Sequence, residues 1–128
     1  MHELAARDLT EPVVELSLGR AYFFDGKHEK AVFHTKRGLG EIERRNRLTR
    51  SRMEGRIDTF DACVLAISLF RLGEIDASAE YRNRVAANTR ANPSLLEDRE
   101  HGPLIAELEQ LFTQKETENA RKKPTTMD

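Results

Sequence analysis

The chain has one cysteine, Cys63, so no internal disulfide can form, and a reducing compartment is the expected setting. No apolar run approaches the ~20 residues that a membrane span requires. The N-terminal MHELAARDLTEP carries acids and lacks the apolar stretch of a secretory signal, which makes the cytoplasm the expected address. An excess of one charge is missing too. With 22 acids against 21 bases the formal net charge is −1, a balance that argues against a general nucleic-acid or membrane-surface binder. The sequence contains no phosphate-cradling glycine motif, Ser-His-Asp candidate or paired-carboxylate signature. His2, His28, His34 and His101 are scattered, and the gap between His28 and His34 is wrong for a metal pair on one helix face. Cys63 lies among apolar neighbours and reads as a small core residue. These absences lead us to expect no enzymatic activity and no cofactor or metal.

What the sequence does contain is helical periodicity. Its 128 residues suit one domain with a modest core, and an all-α fold of about five helices is expected over residues 10–117. Residues 1–9 read as an N-terminal segment. Residues 118–128 have almost no apolar content and read as a disordered tail. Thr10 is a good N-cap with Glu11 and Pro12 in the first turn, and Val13, Leu16, Tyr22 and Phe23 recur at helical spacing up to Gly26. A second helix from His28 carries Ala31, Thr35, Leu39 and Ile42 on one stripe; Gly38 and Gly40 lie inside it, with a bend expected at Gly40. The third begins at Asp58, with Asp61 in the first turn and Phe60, Val64, Ile67 and Leu72 facing inward. The fourth runs from Ile75 to Ala91, with Ser78, Tyr81, Val85 and Asn88 on one face, and Asn92-Pro93 stops it. Gly102-Pro103 opens a fifth, in which Leu104, Ile105, Leu108, Leu111 and Phe112 form an apolar stripe.

The stretch LGRAYFFDGKHEKAVFHTKRGL, residues 18–39, reads as a helix, a tight turn and a second helix folded back on it. Gly19 and Ala31 allow close backbone approach, Tyr22 fills the groove between the helices, and Gly26 supplies the turn. A less regular copy follows in LAISLFRLGEIDASAEYRNRV, residues 65–85, with Gly73 at the turn. This pattern resembles the tetratricopeptide repeat (TPR) family, in a long-helix form. The two turn glycines are 47 residues apart, against about 34 in the usual repeat, and Arg82 stands where an aromatic is expected. The resemblance implies a right-handed stack of antiparallel helical hairpins that binds a peptide or helix of a partner protein. It also implies a binding face on the first helix of each hairpin, with Ser17, Arg20 and Phe24 in the first and Cys63, Ile67 and Arg71 in the second. A paired Arg20 and Arg71 beside Phe24 would then hold a carboxylate and an apolar anchor.

A second candidate site is basic. Lys36, Arg37, Arg44, Arg45, Arg47, Arg50, Arg52 and Arg56 outnumber Glu41, Glu43 and Glu54 in one stretch. The fork of an arginine suits a carboxylate or phosphate, which makes Arg44, Arg45 and Arg47 candidates for an acidic peptide or, as a small regulator, for nucleic acid. No aromatic interleaves the cluster, which weakens the nucleic-acid reading, and a solvated helix with intrahelical pairs such as Glu41–Arg45 and Glu43–Arg47 is the simplest account of it. Finally, Phe23, Phe24, Val32 and Phe33 give the first hairpin apolar groups on more than one side. A homodimer, or an oligomeric assembly role, is the expected cover, with Phe23 and Phe33 in the interface.

Overall fold

The computed structural model describes residues 2–49 and 59–122, with side chains described for 12–44 and 59–121. The fold is all-α. Helices α1 (His2–Phe24) and α2 (His28–Thr49) form one antiparallel hairpin, and α3 (Thr59–Arg71) and α4 (Ile75–Ala91) form another. A 3-10 turn at Pro93–Glu97 leads into α5 (His101–Lys122), which lies along α3.

Both hairpin turns are built the same way. Gly26 and Gly73 have φ of 78° and 86°, the left-handed region that side chains with a Cβ resist. At the first turn Gly26 N–H donates to the Phe23 carbonyl and Lys27 N–H to the Tyr22 carbonyl, at 3.1 and 2.9 Å. At the second, Gly73 N–H donates to Phe70 and Glu74 N–H to Leu69, at 3.0 and 2.9 Å. These nested bonds satisfy carbonyls that a helix end otherwise leaves orphaned, as in a Schellman motif.

Small residues set the spacing inside each hairpin. A Cβ on Gly38 would lie 2.8 Å from Leu16 and 3.1 Å from the Pro12 carbonyl oxygen, so α2 needs a glycine there. In the second hairpin Ser78, five residues past its turn glycine as Ala31 is past Gly26, donates from Oγ to the Ala66 carbonyl at 2.6 Å. Around Gly40 the space is open, and α2 runs through it unbroken to Thr49 instead of ending or pausing there.

The core is centred on α3, whose residues Thr59 to Leu69 are all buried. Onto it α5 lays Leu104, Ile105, Leu108, Leu111 and Phe112, the stripe expected from sequence, each side chain contributing about 1.5–3 kcal/mol on full burial. Phe112 meets Phe70 edge-on at 5.0 Å. Arg82 lies 4.4 Å over the Phe112 ring and forks onto Glu109, which ties α4 to α5. That bond holds the Glu109 carboxyl below its usual range and the Arg82 guanidinium above its own.

Several boundaries differ from the sequence expectation. The first helix starts at His2 rather than Thr10, because HELAARDL contains good helix formers and no breaker, and Pro12 is accommodated inside it. The fifth helix starts at His101 and continues to Lys122, so part of the expected tail is helical; residues 123–128 lie outside the described residues. Asp98 caps α5, accepting from the N–H groups of Glu100 and His101 and from His101 Nδ1, which lowers its carboxyl to about 2. The expected N-cap Asp58 lies outside the described residues. Leu72, expected inward, is exposed and falls in the turn; Val13, counted in the helical spacing of the first helix, is exposed as well, because α1 turns Pro12, Leu16, Gly19 and Phe23 toward α2.

Candidate functional site

Arg20 is the residue that organises the candidate site. From α1 it reaches across to α3, where Nε and Nη2 donate to the two oxygens of Asp61 at 2.9 and 3.2 Å. Asp61 is fully buried, so its charge requires that fork. The same guanidinium lies 4.4 Å over the Phe60 ring. Phe60 is in turn approached by Phe24 at 6.3 Å and edge-on by His101 at 6.0 Å.

The outcome is an open groove of about 490 Å³ lined by Arg20, Phe24, Phe60, Arg99, Glu100, Pro103 and Leu104. Its floor is apolar and its rim carries charge of both signs. Phe24 is 69% exposed at its edge, the most exposed large apolar side chain described. Such a groove can accept an apolar side chain with a polar group beside it.

Arg20 and Phe24, expected together from sequence, do meet here. Ser17 is exposed on α1 but does not line the groove. Arg71 does not pair with Arg20. It stands ten residues further along α3 than Asp61, about 15 Å by helix rise, with its guanidinium 3.8 Å from Glu107. Cys63 and Ile67 are buried, because α3 is covered along its length. Arg44 is exposed and bonded to Glu41 one turn back, while the side chains of Arg45 and Arg47 lie outside the described residues. Phe23, expected in an oligomer interface, is a core residue at 8% exposure. Phe33 is exposed, edge-on to His34, with the Arg37 guanidinium 5.3 Å from its ring.

The sequence reading missed Phe60, Arg99, Glu100, Pro103 and Leu104 as groove residues and gave Asp61 only a first-turn role. Their positions depend on how α5 and the turn before it fold back onto α3, a long-range arrangement. The available signal was the cluster of Phe60 and Asp61 opposite an otherwise unexplained arginine on α1.

Two other polar sites are structural in character. His28 Nδ1 and Ser68 Oγ share a hydrogen bond at 3.1 Å between α2 and α3, but Ser68 is fully buried and beyond reach of a substrate. Burial first, then the nearby Arg71 charge, lowers the pKa of His28. Lys36, Leu39, Gly40, Glu43, Tyr81 and Arg84 line a space of about 330 Å³ between α2 and α4. Burial there raises the Tyr81 hydroxyl pKa. Among the described residues no group of three His, Cys, Asp or Glu side chains could hold a metal, and no helix is long and apolar enough to cross a membrane. No family model, curated protein or solved structure matches the chain.

Proposed function

We propose that the chain is a non-enzymatic interaction module that binds a peptide or helix of a partner protein in the groove between α1, α3 and the start of α5. The observation that carries this reading is the placement of Phe24, exposed at the mouth of an apolar groove whose floor includes Phe60 and Leu104. Large exposed aromatics beside such grooves serve as anchors, and Arg99 and Glu100 at the rim would select the polar flank of the ligand. The two hairpins with equivalent glycine turns support a tetratricopeptide-like scaffold for that role. A pull-down from native lysate, with wild type beside Arg99→Glu and Glu100→Arg, tests it; both residues line the groove and neither is on α1. A protein retained by wild type and lost with both substitutions is the expected outcome. A captured set unchanged by either substitution removes the groove from consideration.

A further inference from the structure

Residues 12–24 of α1 divide cleanly. Pro12, Gly19 and Phe23 are buried and Leu16 is half-buried, largely against α2. At 100° per residue, the arc turned away from them holds Val13, Val14, Ser17, Leu18, Ala21 and Phe24, all exposed. Val13 is 65% exposed, Val14 50%, Leu18 37% and Phe24 69%. No member of that arc is charged. The two charged side chains of this stretch, Glu15 and Arg20, lie at the sides of the helix and are engaged within the chain. Glu15 accepts from His34 Nδ1 at 2.7 Å, and Arg20 is held by Asp61. An amphipathic surface helix would carry its charges on this side; between residues 12 and 24 this one carries none.

We infer that this face of α1 is covered by a second copy of the chain, in a two-fold dimer with α1 packed against α1 and Phe24 at the boundary between the dimer face and the groove. Three observations select that occupant. Between residues 12 and 24 the face is free of charge, so this stretch can meet its own copy without burying an unpaired ion, and self-complementarity is what a two-fold interface demands. The smallest residues, Ser17 and Ala21, sit at the middle of the arc with Val13, Val14, Leu18 and Phe24 around them, an arrangement that lets two helices approach closely at their crossing. The four large apolar side chains leave roughly 400 Å² exposed per copy. Two copies would thus bury at most about 800 Å² from these side chains, and Ser17, Ala21 and flanking groups must supply the rest of the ~1,000 Å² that a specific interface should clear. The arc replaces the pair Phe23 and Phe33, of which the first lies in the core and the second on α2 among Glu29, Lys30, Lys36 and Arg37.

Sedimentation equilibrium at tens of micromolar tests the inference on the full chain. Wild type should run at twice its 14.7 kDa, and Val14→Glu with Leu18→Glu at the monomer mass. Because both positions are exposed and outside the groove, the helical circular dichroism should be unchanged. Leu18→Ala, a milder change that keeps the helix-forming tendency, should weaken the dimer at least several-fold. A wild type that stays monomeric throughout that range overturns the inference, as does a dimer that survives the double glutamate variant. Arg99→Glu should leave the mass at the dimer value, so failure of the groove reading and failure of the dimer are separately visible.

Discussion

Gly19 on α1 and Thr35 on α2 are packed so closely that residue 19 has no room for a Cβ. One built there would collide with Thr35 Oγ1 and lie 3.1 Å from the Thr35 backbone nitrogen. The Thr35 hydroxyl is fully buried and finds no hydrogen-bond partner among the described residues, so the contact is steric rather than polar. Replacing Gly19 with Leu should cost about 1–3 kcal/mol by overpacking. Gly40→Ala is the matched control, since nothing lies within 4 Å of its added carbon and helix propensity alone favours it by up to about 1 kcal/mol. Thermal melts of both variants should move in opposite directions from wild type. A Gly19→Leu chain that melts with wild type would remove the close crossing.

Arg20 is expected to matter for stability before it matters for binding. Removing it leaves Asp61 buried without its guanidinium fork, and breaking a fully enclosed pair costs ~3–5 kcal/mol. Arg20 is 37% exposed, so water moderates the loss, and about 2 kcal/mol is the expected cost of Arg20→Ala. Arg20→Ala combined with Asp61→Asn should recover part of it, because a neutral amide tolerates burial better than an unpaired carboxylate. Urea midpoints of the three proteins decide the matter. Equal losses in the single and double variants would mean that the ion pair does not carry the effect.

Protonation of His28 should loosen the junction between the hairpins. Its folded pKa is lowered below the usual 6.5, mainly by burial, so the folded state favours the neutral ring. The unfolded chain then binds the extra proton, and stability falls as pH is lowered from about 6.5 toward the folded value. The groups around the ring are Phe23 edge-on, Ser68, and the opposed charges of Arg71 and Glu107. Unfolding midpoints measured at pH 7, 6 and 5 should drop more steeply for wild type than for His28→Gln. Parallel profiles would exclude His28 as the source.

Local signals were the legible part of this fold. The turn glycines, the Asn92-Pro93 stop and the Leu104–Phe112 stripe each act within a few residues, where backbone sterics and periodicity decide the outcome. Around Pro12 the same reading failed, since a proline two residues after Thr10 looks like a first turn and the favourable helix formers before it were discounted. For the site, Arg20 and Phe24 were legible because both project from one helix. Their neighbours Phe60, Arg99 and Leu104 come from segments 36 or more residues away, and no local pattern reports that meeting. Arg20 and Arg71 were joined by an assumed equivalence of two helices, whereas α3 is enclosed where α1 is open.

That enclosure bears on whether the chain can be divided. A linear array of hairpins can be shortened from its ends, because each unit leans only on its neighbours. Here α3 touches α1, α2, α4 and α5, and is the one helix that every other helix leans on. No cut leaves a fragment with its interior intact: removing α5 strips Leu104 and Leu108 from α3, and removing the first hairpin strips Arg20 from Asp61. The two hairpins share their middle, so a single cooperative melting transition is the expected outcome.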